Sequence, residues 1–269
     1  MNDPETPLSV LSRFTIDTLE QDLDACTVKA SMPLGGMKNP LTGQPSLAGL
    51  AILVDDVAGR VNFIRRGREV WTVSSELTVE LSPEAVDSLL ASPDEPVIAS
   101  ARPLGLPGVP LLSVCTLTHC DAVIGGGTVH TMPLDSGPDG PLPRRDDPLA
   151  GHSGATLAQL LAVDPLNDGT HRLHQRPDPM INNLIGIVHG GVSSAGLELV
   201  ASAAINDGRD NPMRTASIRV NFLRPFVAGA QSLYEGTALR IGRTSAVGDA
   251  RAVGDDGKVA VIARVTAYR

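Results

Sequence analysis

Asn183-Leu184-Ile185-Gly186-Ile187-Val188-His189-Gly190-Gly191-Val192 opens an apolar segment that runs to Ile205 and whose only acidic residue is Glu198. A carboxylate inside an otherwise apolar helix is costly unless something uses it. The glycine pair at the helix start leaves bare backbone N–H groups within reach of whatever docks there, at the helix end that favours negative charge. The combination points to a site that polarises a carbonyl at a helix N-terminus and attacks it with the help of a carboxylate. The stretch from Leu184 is long enough to raise the question of a membrane span. His189, Glu198 and several Gly and Ser mark it instead as a buried helix of a soluble protein.

Working outward, the stretch from Asp135 to Pro148 has the Pro/Gly/Asp composition of a linker, and its two sides read alike. On the first side a strand is expected over Asp24–Met32, then a Gly/Pro/Asn loop over Lys38–Gln44. A helix over Pro45–Gly59 follows, with Ser46 as its cap and Gly59 as its stop. Strands are expected over Glu69–Glu80, Val97–Arg102, Leu111–Cys120 and Gly127–Met132. On the second side the order returns. A strand over Thr170–Gln175 precedes the Asn183 loop and a helix over Gly190–Ile205. Strands then span Arg214–Leu223, Ser232–Leu239, Ser245–Val253 and Lys258–Tyr268, the last two joined by the Gly254-Asp255-Asp256-Gly257 turn. The expected organisation is a unit at 11–135, a linker at 136–164 and a unit at 165–269. Each unit is α+β, a long helix followed by antiparallel strands on which it packs. Laying Pro83 on Pro225 sets Asp56 against Glu198.

At this point a family resemblance appears. The second half resembles the hotdog-fold thioesterases of the phenylacetate-pathway type. The matching features are Asn183 with Gly186, His189-Gly190-Gly191, a carboxylate nine residues beyond the histidine, Thr215, Phe222-Leu223-Arg224-Pro225, and Arg240-Ile241-Gly242-Arg243 followed by the Gly257 hairpin. The first half matches through Ala48-Gly49, Val54-Asp55-Asp56-Val57-Ala58 and Leu81-Ser82-Pro83. The resemblance implies two hotdog units in one chain, each a curved antiparallel sheet wrapped around a central helix. It implies acyl-CoA thioester hydrolysis at the interface between units, with oxyanion donors from one and the carboxylate from the other. One such site combines Asn183, His189 and Gly191 with Asp56; the other combines Glu198 and Thr215 with the loop around Asn39 and Gly49. Two departures stand out. Glu198 replaces the usual aspartate, and its extra methylene moves the carboxylate oxygens. Leu47-Ala48-Gly49 stands where the first half would carry His-Gly-Gly, which favours the site built on Asp56.

Thioester hydrolysis needs an oxyanion stabilised and a water activated or a carboxylate in attack. Gly190 and Gly191 supply N–H donors and close approach, and His189 donates to the carbonyl or fixes the loop. Asp56 and Glu198 both stand as base or nucleophile. Asn183 orients water or the carbonyl, and Thr215 holds water against the acid. Arg224, Arg240 and Arg243 are candidates for CoA phosphates, with solvated strand arginines as the competing reading.

Composition narrows the alternatives. Aromatics are 3% and the net charge is −8, which argue against stacking on nucleic acid and against a general nucleic-acid binder, and suggest an aliphatic-lined pocket. From Arg209 to Arg269, ten Lys or Arg stand against five Asp or Glu, a local excess suited to a phosphorylated small molecule. Cys26, Cys115 and Cys120 fit no zinc spacing and point to a reducing, cytoplasmic setting. The N-terminal residues lack a signal-peptide pattern. No Gly-x-Ser-x-Gly elbow, Walker loop or dinucleotide fingerprint is present. Gly208-Arg209-Asp210-Asn211-Pro212 partly matches a hotdog hydratase signature but lacks its histidine and follows the helix. The expectation is an acyl-CoA thioesterase without cofactor, metal, nucleic-acid or membrane partner, assembling as a homo-oligomer. The rival is a non-catalytic acyl-CoA-binding or regulatory protein.

Overall fold

The computed structural model describes residues 8–66, 70–82, 84–106, 108–134, 147–151, 154–166 and 168–269. The first half contains α1 (Leu8–Phe14), β1 (Asp17–Asp22), β2 (Thr27–Met32), α2 (Gly49–Arg65), β3 (Trp71–Leu81), α3 (Ala85–Ala91), β4 (Val97–Pro103), β5 (Leu111–His119) and β6 (Ala122–Leu134). The second contains α4 (Leu157–Leu160), β7 (Val163–Pro165), β8 (Arg172–Gln175), a 3-10 turn at Pro179–Ile181, α5 (Gly190–Ile205), β9 (Arg214–Phe222), β10 (Leu233–Ile241), β11 (Ser245–Val253) and β12 (Val259–Tyr268).

These strands make one antiparallel sheet in the order β1-β2-β4-β5-β6-β3-β9-β12-β11-β10-β8-β7. The seam is the β3–β9 pair, with Glu76 opposite Asn221 and Glu80 opposite Ser217. Outward from it, β3-β6-β5-β4-β2-β1 on one side mirrors β9-β12-β11-β10-β8-β7 on the other. The expected pair of hotdog units is therefore present, fused into one sheet that carries two central helices. Among the described residues no helix is long and apolar enough to cross a membrane.

The central helices exist because they are enclosed. α2 is buried without a break from Gly49 to Phe63, and α5 from Gly191 to Ala201. A helix that is apolar on every side is stable only inside a core. The Gly, Ser and Val content of α5 makes it a poor helix former alone, so tertiary burial decides. The same effect carries α2 six residues past Gly59, its expected stop. Val61 and Phe63 go on filling the core, and Asn62 donates to the Val129 carbonyl at 3.0 Å. That burial outweighs a glycine cost of about 1 kcal/mol. Ala48, not Ser46, is the N-cap; Ser46 lies three residues before the first helical residue, where its Oγ accepts the Ala48 N–H at 3.2 Å.

Besides α1, α4 and the 3-10 turn, three further elements lie outside the sequence expectation. β1 is exposed along its whole length, so it has no alternation to read. α3 is a short helix between β3 and β4. β7 falls inside the stretch read as linker and forms the sheet edge against β8. The core of that stretch, 135–146, lies outside the described residues. Arg13 of α1 binds Asp147 (2.6 Å) and Asp178 (2.7 Å). Asp178 in turn caps the 3-10 turn through the Met180 N–H at 2.8 Å, which fixes the chain just before the Asn183 loop.

Candidate active site

The Asn183 loop folds on its own side chain. Asn183 Oδ1 accepts the N–H groups of Ile185 (3.1 Å) and Ile187 (3.2 Å). Gly186 takes φ +82°, the left-handed region that favours glycine. The loop delivers His189 as the N-cap of α5, with its Nδ1 3.2 Å from the Gly191 nitrogen.

Against this helix start lies Asp55 of α2. Its Oδ2 accepts the Gly191 N–H at 2.6 Å and sits 3.5 Å from His189 Nδ1. Its Oδ1 accepts the Ser74 Oγ–H from β3 at 2.7 Å. Asp55 is 5% exposed and His189 6%. The glycine pair is what admits the acid. A Cβ at Gly190 would come within 2.7 Å of Asp55 Oδ2, and one at Gly191 within 2.6 Å of Ile52 Cα. The arrangement thus takes its carboxylate and serine from the first unit and its histidine, N–H donor and asparagine from the second. It lines a cavity of about 300 Å³.

This corrects the expectation for Asp56. Its carboxylate is fully buried in the first unit and ion-paired with Arg60 at 2.7 Å; Arg60 also donates to Thr18 Oγ1 at 2.7 Å. Successive helix residues point about 100° apart. Since Gly191 abuts Ala51, Ile52 and Asp55, Asp55 faces α5 and Asp56 is turned away. Asp55 was missed because the two acids are adjacent, and Ser74 because nothing local marks it. The internal repeat as read laid Asp56 on Glu198, one residue out of the structural register, in which Ser74 bonds Asp55 as Thr215 bonds Glu198.

The cavity walls correct a second expectation. Trp71, Phe222 and Phe226, three of the chain's seven aromatics, line it with Ile185, Ile187 and Val261, so the pocket is not purely aliphatic. Arg224 is also on the wall.

The second combination forms too. Thr215 Oγ1 donates to Glu198 Oε1 at 2.5 Å, and Ser46 Oγ–H points at Glu198 Oε2 from 3.4 Å. Asn39 donates to the Leu199 carbonyl (2.8 Å) and Ser202 Oγ (3.1 Å). These residues border a separate cavity of about 500 Å³ that also has Arg214 and Arg269 on its wall. Burial holds the Glu198 carboxyl above the usual range, offset by hydrogen bonds from Thr215, Ser202 and Ser46. Arg240 and Arg243 line neither cavity. They sit exposed at the β10–β11 hairpin, where Arg240 donates to Ser245 Oγ at 3.1 Å.

Residues 185–261 match the family model of the thioesterase superfamily. No curated protein matches the chain by sequence. Solved structures similar to it include a TesB protein of Mycobacterium avium subsp. paratuberculosis, at 9% identity and TM-score 0.63, covering 96% of this chain and 97% of that one. The acyl-CoA thioesterase II TesB2 of Mycobacterium marinum is similar at 12% identity and TM-score 0.57, with 96% and 97% covered. A conserved protein with a hot dog fold from Alicyclobacillus acidocaldarius is similar at 12% identity and TM-score 0.55, with 97% of both chains covered. At these identities the likeness establishes the fold: the chain is a double-hotdog protein.

Proposed function

We propose that the chain hydrolyses acyl thioesters of the acyl-CoA class at the Asp55–His189–Gly191 centre. The observation that carries this reading is a buried carboxylate bonded directly to the N–H at a helix N-terminus, the two groups that thioester hydrolysis requires. Asp55 Oδ2 occupies the Gly191 donor. A thioester carbonyl oxygen arriving there displaces it, gains the N–H and the helix dipole, and leaves Asp55 beside the carbonyl carbon. Ser74 holds the other carboxylate oxygen, so the freed oxygen keeps its aim. Water then adds to the carbon as Asp55 takes its proton, the C–S bond breaks, and the proton goes to the departing thiolate. Direct attack by Asp55 uses the same geometry: the carboxylate adds to the carbon, the C–S bond breaks to give a mixed anhydride and a thiolate, and water then cleaves the anhydride, freeing the acid and Asp55 while the water's proton goes to the thiolate. His189 lies against the carboxylate and caps the donor helix. The apolar, partly aromatic wall takes the acyl group.

Thiol release from a panel of short, medium, long and aromatic acyl-CoAs tests the reading. Turnover is expected on at least one member and loss of it in Asp55→Asn. No turnover on any member would contradict it.

A further inference from the structure

The two cavities are built on the same plan but differ where chemistry would occur. At the Asp55 centre the carboxylate touches the helix N–H directly. At the other, the corresponding Ala48 N–H is taken by Ser46 Oγ (3.2 Å), and Ser46 stands between that donor and Glu198. Ser46 accepts the Ala48 N–H as His189 accepts the Gly191 N–H, a register one residue away from the sequence alignment, so Leu47, on the wall of the second cavity, is the counterpart of Gly190, which leaves the approach open in the first. Glu198 is therefore separated from the N–H that would hold an oxyanion.

The mouths differ as well. Strand register aligns Arg214 of β9 with Tyr268 of β12, and Tyr268 with Ser245 of β11; the Arg269 N–H bonds the Thr244 carbonyl at 3.1 Å. Arg214, Arg269, Arg240 and Arg243 thus share one end of the sheet, where Arg214 and Arg269 enter the wall of the second cavity. Asp87 of α3 pairs with Arg214 at 2.7 Å, with both side chains well exposed. Two guanidinium groups, Arg214 and Arg269, thus stand on the wall of the second cavity, with Arg240 and Arg243 at the same end of the sheet.

We infer that this second cavity is a separate binding site for a phosphate-bearing coenzyme A compound, acylated or free, which it holds without hydrolysis. The inference takes its ligand class from the proposed reaction but not its outcome at Asp55. Guanidinium groups at the rim suit pyrophosphate and phosphate monoester oxygens. The thiol or acyl arm runs inward past Leu47 and Met213 toward Glu198 and Thr215.

Trp71 is the only tryptophan and lines the first cavity alone, so its emission reports that cavity, whereas calorimetry reports both. The intact chain is titrated with free coenzyme A and, separately, with the S-hexyl thioether of coenzyme A, which cannot be hydrolysed. Calorimetry should detect an equivalent that Trp71 does not follow. Binding of free coenzyme A in that phase means the phosphates suffice; binding of the thioether alone means the acyl arm is needed. Either supports the site. Arg214→Glu and Arg269→Glu should each weaken this phase roughly tenfold or more, with unchanged melting temperature as the control for folding. Coincident calorimetric and Trp71 curves, or a second phase indifferent to both charge reversals, would overturn the site. Residual thiol release in Asp55→Asn that disappears in the Asp55→Asn/Glu198→Gln double variant would overturn retention without hydrolysis. Failure of the hydrolysis panel leaves this titration readable, so the two proposals fail separately.

Discussion

Asp55 and Asp56 show how one residue of helical register gives two adjacent acids different partners. Asp55 meets the Gly191 N–H across the unit boundary and the Ser74 hydroxyl within its own unit; Asp56 is buried against Arg60. Removing one partner of a buried ion pair leaves the other charge uncompensated, at about 3–5 kcal/mol. Asp56→Ala is therefore expected to lower stability by about that much in denaturant unfolding. Asp56→Leu combined with Arg60→Met should recover most of the loss, and a double variant no more stable than the single would refute the pairing. Ser74→Ala removes a hydrogen bond to the carboxylate worth about 1.5–3 kcal/mol. It should cut kcat by roughly tenfold to a hundredfold with a smaller change in KM. Gly191→Ala puts a Cβ within 2.6 Å of Ile52 Cα and should cost about 1–3 kcal/mol by overpacking, measurable as a lower melting temperature.

At the scale of elements, the sequence announced what periodicity and turn chemistry mark. The Asn183 loop, the Gly190–Ile205 helix and the strands after it appear at or within a few residues of their expected ends. The rest was hidden for physical reasons. β1 has no buried face. α2 is buried on every side, so no polar stripe along it tells which of its two acids faces α5. That ambiguity produced the error at Asp56. The aromatic pocket was illegible because composition counts residues without locating them; Trp71 comes from β3, Phe222 from β9 and Phe226 from the loop beyond it.

α5 carries a pH dependence of its own. Burial raises the Glu198 carboxyl above its ordinary 4.5, so the folded chain keeps a proton that the unfolded chain has released. This contribution to stability is full below the unfolded pKa and is lost as pH rises through the folded one. Glu198→Gln, which cannot ionise, should gain stability relative to the parent as the pH of a urea titration is raised from 5 to 8. An equal or larger gain at pH 5 would refute the assignment.

For the whole molecule, a sheet joined at β3–β9 brings the start of α5 against the middle of α2 and the start of α2 against the middle of α5. Each crossing makes a composite cavity that neither half has alone. The halves have diverged at those crossings: Gly190-Gly191 with Asp55 in one, Leu47-Ala48 with Glu198 in the other. The repeat was legible in the sequence, and so was the asymmetry of the His-Gly-Gly triplet. The pairing of carboxylate with donor across the units became specific only with the helix register.

Steady-state thiol release by Asp55→Asn and Asp56→Asn, on whichever acyl-CoA the parent chain turns over best, tests the central claim most directly. The account predicts a loss in kcat of roughly a hundredfold or more for Asp55→Asn, the scale of losing a general base or nucleophile. It predicts near-parent kcat for the folded fraction of Asp56→Asn. Parent-like turnover in Asp55→Asn would contradict the assignment of the chemistry to this centre.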